Sequence, residues 1–426
     1  MNIGKAIYAV KITIYSLCQI LWLVFPKKTV RVIPRTKQLP WRELSGVLYI
    51  PGNISGLGGM LCLQRIDLRS GTIQKSIFRD RGHGHSVAVC AKTGRGWLVS
   101  ENGFSIVEFD LKTLRKTNRI TLEASTMGGH GACSADGSKL YFVDRGMCDK
   151  TLESNLVVYD TNQRKIIHKY EGVGIYPHDV KITADGRKAI IASYGRITAL
   201  FGKIPSAGYS KQSKCLRVPS FAIVDLERHT IKSKCTFKDP FMLAHVAIDQ
   251  KDGAAFIEGT ILLNMSECTK ESIPLITRRR NLGITTEEIG LNVIYTSGVL
   301  LKVDIENAKV IKRFDHSFPR PQSVRFSQRS GVVYETYGYR NMVGALDKEN
   351  LDIKKQYDFS DFGFVDPRGL ALSADERFLF VSGRRKNIYC LDMHSQGKPE
   401  IQVVHSYNNR NSHITFLDDK DERIGA

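Results

Sequence analysis

The sequence predicts an all-β protein, a seven-bladed β-propeller of four-stranded blades that strands from the two ends of the array close. The first observation is a recurrent segment, whose clearest copy is residues 176–191, YPHDVKITADGRKAII. It predicts a strand, an Asp-Gly turn and a second, apolar strand. The second observation is the spacing of seven related copies, which start at 85, 130, 178, 245, 322, 368 and 413, with four of the six gaps at 45 to 48 residues. This is the period of a propeller blade.

The ends of the array predict how the ring closes. Residues 46–78 supply three strands that lack an inner partner, and residues 413–417 supply a single strand at the other end. Pairing the two would remove both open edges. Acidic residues end the third strand of each blade, where we expect them to bond the backbone of the following turn. They are Asp67, Asp110, Asp160, Asp225, Asp304, Asp347 and Asp392.

Two of the gaps are longer than a blade requires. The extra residues, 196–219 in blade three and 259–297 in blade four, fall between the second and third strands and would overhang the face where the inner strands begin. Long loops on one face of a rigid scaffold usually bind something. Surface insertions are also tolerated because they cost little stability. The first interpretation predicts a protein partner at these two insertions.

Charge and cysteine content restrict the class of protein. The formal net charge of +19 favours anionic partners such as lipid headgroups, or serves solubility alone. No nucleic-acid-binding motif accompanies it, so we expect no nucleic acid partner. The nine cysteines are odd in number and have no metal-site spacing, which indicates buried thiols.

The N-terminus predicts membrane association. Residues 7–25 are largely apolar, and no small-residue cleavage site follows, so residues 1–25 are predicted to be an uncleaved apolar helix that spans the bilayer or lies in its interface. Residues 26–44 are a basic linker, and the propeller occupies 45–426. The basic flank would leave the propeller in the cytoplasm. It could also contact acidic lipids.

Histidines mark the beginnings of the inner strands, and these strands converge on the central channel. Neutral imidazoles that meet in one cavity suit copper, iron or zinc. The alternative is that the histidines only connect neighbouring blades through hydrogen bonds. The candidate metal ligands are His85, His130, His178, His245 and His413, with His83 two residues before the first.

Other polar residues are predicted on the same face. The second strands end in acidic residues that could orient the imidazoles or bind the metal. In blades five and six, a glutamine and an arginine replace the histidine, and the arginine could bind an anionic group. These candidate ligand-binding residues are Glu101, Asp144, Glu258, Gln322 and Arg368.

No motif defines a reaction. A nucleophile elbow, a P-loop and a dinucleotide fingerprint are absent from the sequence, and the glycines at 128–131 are predicted to be turns between blades. Whether the protein is an enzyme stays open at this point, and no catalytic residue is assigned.

The runs GGHGACSADGSKLYFVDRG and YPHDVKITADGRKAIIASYG resemble the YVTN and lactonase-like superfamily of seven-bladed propellers. The order of Gly-His-Gly-His, Gly-His-Gly and Gly-x-x-Pro-His-Asp is closer to a group of uncharacterised bacterial periplasmic propellers. The resemblance spans positions 46–418 and implies metal or redox chemistry, since related propellers hold copper with channel-facing histidines. It also implies a periplasmic location, which disagrees with the charge bias, so the side of the membrane stays open.

Two functions follow from the sequence. The first is a membrane-tethered propeller that binds a transition metal or small ligand at a histidine-lined channel mouth, with redox chemistry as one use of that site. The second is a non-catalytic interaction scaffold at a membrane, in which the histidines are structural.

Overall fold

The protein is described by a computed structural model, which is an all-β structure. It describes residues 30–32, 44–53, 60–80, 82–122, 125–145, 153–195, 218–238, 241–264, 293–318, 320–363, 365–383, 387–393, 401–405 and 410–418.

The described strands follow one another in chain order. Three 3₁₀ turns, Ala91–Thr93, Gly338–Arg340 and Ser360–Phe362, lie among them. The strands are β1 (Val30–Val32), β2 (Val47–Asn53), β3 (Met60–Asp67), β4 (Ile73–Arg79), β5 (His83–Cys90), β6 (Arg95–Glu101), β7 (Ser105–Asp110), β8 (Lys116–Thr121), β9 (Met127–Cys133), β10 (Lys139–Asp144), β11 (Glu153–Asp160), β12 (Lys165–Ile175), β13 (Pro177–Ile182), β14 (Lys188–Ser193), β15 (Ser220–Asp225), β16 (Thr230–Thr236), β17 (Phe241–Asp249), β18 (Ala254–Asn264), β19 (Val293–Asp304), β20 (Lys309–His316), β21 (Pro321–Phe326), β22 (Val332–Tyr337), β23 (Met342–Asp347), β24 (Ile353–Asp358), β25 (Pro367–Leu372), β26 (Phe378–Gly383), β27 (Asn387–Asp392), β28 (Ile401–His405), β29 (Arg410–Asn411) and β30 (Thr415–Leu417).

The grouping of these strands corrects the predicted fold class. The described strands form six sheets rather than seven separate four-stranded ones: four have four strands, one has six and one has eight. The eight-stranded sheet arises because Glu101 at the end of β6 pairs with Gly128 in β9, which joins two successive groups of strands. The six-stranded sheet includes β1, which lies within the predicted linker and pairs with β4.

The predicted N-terminal apolar helix is a second correction to the fold class. The part of the chain that the structure describes contains no α-helix, and so none long and apolar enough to span a bilayer. The segment to which that helix was assigned, residues 7–25, lies outside the described residues.

The two ends of the array meet in one sheet, as the sequence predicted. Strand β2 pairs with β29 and β30, with Leu48 opposite Phe416. The buried cluster beneath this sheet contains Leu48 and Ile50 from β2 together with Phe380 and Ile388 from the preceding sheet. Apolar side chains of neighbouring sheets thus interlock around the ring and hold the inner strands in fixed positions.

Local sequence explains the individual strands. Central strands such as β10 (KLYFVD) are almost continuously apolar because both faces are buried, whereas the outer strand β16 alternates between exposed and partly exposed positions. The predicted acidic turn formers are confirmed in most groups of strands. Asp110 Oδ1, for example, accepts a hydrogen bond from Thr113 N at 2.7 Å, whereas Asp392 instead pairs with Arg377.

The insertions differ from the prediction at their ends. In the second one, residues 259–264 continue β18 and residues 293–297 begin β19, with Asn264 opposite Val293, so the flanks form an extended hairpin. Residues 265–292 and 196–217 lie outside the described residues, and the predicted partner at the insertions stays a prediction.

Candidate metal centre

Five imidazoles meet at the channel end of the inner strands. One nitrogen from each ring lies within 4.8 Å of a nitrogen from every other ring, and four of the five residues are buried while His413 is partly exposed. Neighbouring ring centroids are 4.5 to 5.0 Å apart, for example 4.8 Å between His85 and His178 and 4.5 Å between His130 and His413. The imidazole cluster consists of His85, His130, His178, His245 and His413.

The backbone is irregular where these histidines lie. The pairing between β5 and β6 shifts register between Gly84 and Ser86, which flank His85. The pairing of β13 with β14 shifts between Pro177 and Asp179, which flank His178, and that of β17 with β18 shifts just before His245. A β-bulge turns a side chain away from the regular alternation of a strand. Bulges at these positions therefore aim the imidazoles at the channel axis.

Hydrogen bonds fix which nitrogen of each ring carries the proton. The carbonyl of Gly128, which can only accept, lies 2.8 Å from His178 Nδ1, closer than Arg145 Nη2 at 3.3 Å, so we assign the Nδ1 proton to His178 as the donor to this carbonyl. His245 Nδ1 donates in the same way to Glu258 Oε1. In the neutral rings, the Nε2 atoms of His178 and His245 must then carry lone pairs.

These lone pairs face one another. His178 Nε2 lies 3.1 Å from His245 Nε2 and 3.2 Å from His85 Nε2. His130 Nε2 is buried and has no hydrogen-bond partner among the described residues. Buried acceptors that point at each other without a donor between them are unfavourable, which indicates a missing cationic partner.

Protonation of the imidazoles is not expected to supply the missing positive charge. Burial is the largest cause of a pKa well below the usual 6.5 in four of the rings, and each neighbouring imidazole lowers it further. The rings are therefore neutral ligands at physiological pH. The four are His85, His130, His178 and His413.

Carboxylates orient the outer nitrogens of the rings. Glu101 Oε2 lies 3.3 Å from His85 Nδ1, and its Oε1 lies 3.7 Å from His178 Nδ1. Glu258 is fully buried beside His245, and burial raises its pKa. Carboxylates on the far side of an imidazole are the usual outer partners of metal-binding histidines. Both residues were predicted from the ends of β6 and β18.

Arg145 connects Glu101 and the carbonyl of Gly128 beside the cluster, although the sequence analysis did not single it out. It is buried, and its Nη2 donates to Glu101 Oε1 at 3.2 Å and to the carbonyl of Gly128 at 2.9 Å. Its guanidinium lies 3.8 Å from the centre of the Tyr176 ring. The same two acceptors thus contact both Arg145 and the imidazoles. Its position directly after Asp144 at a strand end was the only signal in the sequence.

Asp179 was also missed. Its Oδ2 accepts a hydrogen bond from Val246 N at 3.0 Å, which connects β13 to β17, and its Oδ1 lies 3.5 Å from His130 Nδ1. A carboxylate directly after the histidine of an inner strand was the available signal. On the opposite side of the site, Ser412 Oγ lies 3.2 Å from His85 Nδ1.

Gly129 allows the rings to approach the backbone. Its φ is 115°, and a Cβ there would lie 2.8 Å from His85 Cδ2 and 3.2 Å from His178 Cε1. The glycines at 128–131, predicted as turns, lie instead within strand β9. A side chain at 129 would push the imidazoles apart, which explains why glycine is required.

The four remaining predicted residues are not members of the imidazole cluster. His83 Nδ1 lies 2.7 Å from Asn53 Oδ1, and His83 is not among the five clustered imidazoles. Asp144 bonds Ser125 Oγ and Asn155 Nδ2. Gln322 Nε2 donates to the carbonyl of its own neighbour, Pro321, at 3.1 Å. Arg368 is buried, and its charge contributes to the low pKa of His85, which places it near the cluster.

The nitrogen spacing fits a single metal ion. Two imidazole nitrogens bound to one ion at ~2.0–2.1 Å lie about 2.9 Å apart at right angles and about 3.3 Å apart in a tetrahedron. The observed 3.1 and 3.2 Å fall between these values. Nitrogens on opposite sides of the ion would lie ~4.2 Å apart. The widest pair in the cluster, at up to 4.8 Å, needs to close only slightly.

Fold and site together define a β-propeller with a buried imidazole cluster at its channel. Residues 79–281 match the family described as "Protein of unknown function (DUF1513)", and this is less than half of the chain. No curated protein matches the sequence.

Solved structures confirm the β-propeller fold. The chain is similar to Kuenenia stuttgartiensis hydrazine synthase, with a TM-score of 0.56, 14% identity, and coverage of 79% of this chain and 95% of that one. It is also similar to the β-propeller domain of Myceliophteria thermophila Cps50 (Swd1), with a TM-score of 0.52, 9% identity, and coverage of 80% and 94%. At these identities the likeness establishes the fold alone.

Proposed function

We propose that the protein binds one transition-metal ion through the imidazole cluster. The observation that supports this most strongly is the pair of Nε2 lone pairs of His178 and His245, which face each other at 3.1 Å in a buried site, with His85 Nε2 at 3.2 Å from His178 Nε2. A metal ion converts these mutually repelling acceptors into ligands of a common centre. The donor set, neutral imidazoles with carboxylates on their outer nitrogens, favours copper, iron or zinc.

The metal would supply Lewis-acid or one-electron chemistry when bound. The chain's own residues prepare the site for it. The carbonyl of Gly128 and the carboxylate of Glu258 fix the proton on Nδ1 of His178 and His245, so that Nε2 is free to bind. Burial lowers the pKa of His85, His130, His178 and His413, and an imidazole must be unprotonated to bind metal.

The likeness to other propellers supports the proposal to a limited degree. The motifs at 128–146 and 176–195 resemble the YVTN and lactonase-like propellers, and related propellers hold copper with channel-facing histidines. Hydrazine synthase shares the fold with this chain, but at 14% identity that likeness gives no reason to assign its activity here.

The alternative function, an interaction scaffold with purely structural histidines, accounts less well for the site. A structural role requires that each buried ring nitrogen have a hydrogen-bond partner, either a protein group or an ordered water molecule. His130 Nε2 has none, and the contact between Nε2 of His178 and Nε2 of His245 is a contact between two acceptors.

Elemental analysis of the purified protein tests the proposal. We expect about one copper, iron or zinc ion per chain in the wild type, and its loss in the double variant His130→Ala, His178→Ala. The matched control is His168→Ala, His229→Ala. The centroids of those two rings lie 4.9 Å apart in a tilted contact, and neither ring belongs to the cluster, so that variant should keep its metal.

Thermal unfolding provides the second readout. Metal added to stripped wild-type protein at 100 times its Kd should stabilise it by about 2.7 kcal/mol, and should leave the His130→Ala, His178→Ala variant unchanged. Metal-free protein whose unfolding temperature does not respond to copper, iron or zinc contradicts the proposal.

A further inference from the structure

A small cavity adjoins the imidazole cluster on the side away from Glu101. Its volume is about 60 Å³, which is room for a few water molecules, since a cavity needs roughly 10–15 Å³ to hold one. One wall consists of His130, His245 and His413. The facing wall includes Lys181 and Arg325.

The cavity wall is cationic. Lys181 Nζ donates to Asp179 Oδ1 at 2.9 Å, so this carboxylate offsets the lysine. Asp179 is also bonded to Val246 N. Arg325 Nε donates to the carbonyl of Leu370 at 2.9 Å, and its guanidinium forms no ion pair with a described residue. Burial lowers the pKa of Arg325, and the charge of Asp179, which also lines the cavity, opposes this shift only in part.

These positive charges act on the imidazoles. Lys181 contributes to the low pKa of His413, and Arg368 and Arg145 contribute to that of His85. A divalent cation at the cluster would add to this positive charge at short range, where Coulomb energies in a partly buried site amount to several kcal/mol. Glu101, Glu258 and Asp179 already have hydrogen-bond partners around the rings.

One ring nitrogen supplies independent support for a ligand at this place. His130 lines the cavity, is 5% exposed, and its Nε2 has no hydrogen-bond partner. His130 and Arg325 line the same cavity. This arrangement suits a ligand that lies between a metal bound at the imidazole cluster and the guanidinium of Arg325.

We propose that the cavity admits a small monoanion, which binds the metal held by the imidazole cluster and lies between that metal and Arg325. The inference rests on the proposed metal binding and specifies the ligand class of the same site. The cavity volume limits the anion to a few atoms, such as azide or formate. The anion would offset the charge of Arg325 and reduce the repulsion between Arg325 and the metal.

Titration of the copper-loaded protein with azide tests this. Copper is used because imidazole sites bind it most tightly among the divalent first-row metals. We expect a saturable azide-to-copper charge-transfer absorption and a matching change in the electron paramagnetic resonance spectrum. In Arg325→Gln the azide affinity should fall by about tenfold or more, with the copper content unchanged.

Two further variants complete the test. Lys181→Gln should weaken azide less than Arg325→Gln does, because Asp179 already offsets the lysine. Lys181 is partly exposed, so this variant should fold even if Arg325→Gln does not. Lys354→Gln is the control, because this exposed lysine pairs with Asp347 on an outer strand, and its azide affinity should match the wild type.

The outcomes separate the two proposals. Full copper loading without azide binding, or equal azide affinity in wild type and both cavity variants, overturns the anion site and leaves metal binding intact. Failure to load copper, iron or zinc overturns metal binding, and the anion site with it.

Discussion

Strands β13, β21 and β25 have the same backbone pattern but bring different chemistry to the channel. Each is preceded by a non-glycine residue at positive φ, namely Tyr176 at 56°, Arg320 at 61° and Asp366 at 49°, and each begins with proline. In all three, the register with the next strand shifts after that proline. The residue that follows the proline is histidine in β13, glutamine in β21 and arginine in β25.

The difference lies in the side chains alone. In β13, His178 joins four other imidazoles, and its Nδ1 donates to the carbonyl of Gly128. Before β21 and β25, the residues at positive φ form a buried ion pair instead, with Arg320 Nη1 2.9 Å from Asp366 Oδ2. The repeated backbone therefore fixes the position of the residue after the proline, and the residue type decides whether it joins the imidazole cluster, while the residues before the prolines of β21 and β25 connect these two strands.

The largest effect should come from breaking the ion pair. Arg320→Met leaves the fully buried Asp366 without its ion-pair partner and should lower the free energy of unfolding by about 3–5 kcal/mol. The metal content per folded chain should not change. Urea denaturation and elemental analysis measure the two effects.

The control for this variant is Arg313→Met. Arg313 pairs with the exposed Asp315 at 2.9 Å, and its loss should cost less than about 1 kcal/mol. If Arg320→Met released the metal from folded protein, the proposed division of roles between the two sets of strands would be wrong.

On the imidazole side, Glu258→Gln should weaken metal binding by about 10–100-fold. The amide replaces a carboxylate that accepts the Nδ1–H of His245 and raises the basicity of its ligand nitrogen. Competition with a chelator measures the affinity. Glu335→Gln is the matched control: this carboxylate is equally buried but lies 3.3 Å from His316 Nε2, outside the imidazole cluster, and metal affinity should be unchanged. Equal losses in both variants would count against a specific role for Glu258.

The imidazole side should also make the metal-free protein sensitive to acid. Burial holds the pKa of His130 well below 6.5 in the folded chain, whereas the unfolded chain takes up a proton below about pH 6.5. The unfolded state then binds more protons, so stability that is present above about pH 6.5 is lost as the pH falls.

Each such histidine contributes a slope of up to about 1.4 kcal/mol per pH unit. Denaturation of stripped protein at several pH values between about 7.5 and 5.5 measures the total slope, and His130→Gln should reduce it by one histidine's share. A slope unaltered by His130→Gln would mean that this ring titrates normally in the folded chain.

The smallest effect is expected at the position equivalent to His178 in β21. Gln322→Ala removes a side chain whose Nε2 donates to the adjacent carbonyl of Pro321, so stability should change by no more than about 0.5 kcal/mol. Metal content should equal that of the wild type. Metal loss in this variant would show that Gln322 reaches the cluster.

Part of the fold was predictable from the sequence because it depends on local patterns. Residues 176–191 predicted two strands around an Asp-Gly turn, and β13 and β14 lie there, with Gly186 at a φ of 72° in the turn. The grouping of strands into sheets was not predictable. It depends on one pair, Glu101 and Gly128, which belong to different repeats and carry no pairing signal.

The candidate site was likewise predictable where it depends on position in the repeat, and unpredictable where it depends on contacts between repeats. Repeat position identified the imidazoles that cluster, because residues at equivalent positions of a ring converge. His83 shares the local sequence of His85 but lies outside the ligand set, since the bulge in β5 aims only one of the two at the axis. The supporting roles of Arg145 and Asp179 depend on contacts between repeats, which no single repeat encodes.

Ring closure has a consequence for the timing of assembly during synthesis. His413 follows β29, which pairs with β2, and its backbone nitrogen donates to the carbonyl of His85 at 3.1 Å. The ribosome makes His85 long before His413. A nascent chain would therefore offer an ion at most four imidazoles until the last segment emerges and docks. The site would then select its metal only after translation has passed His413 and the five imidazoles have come together.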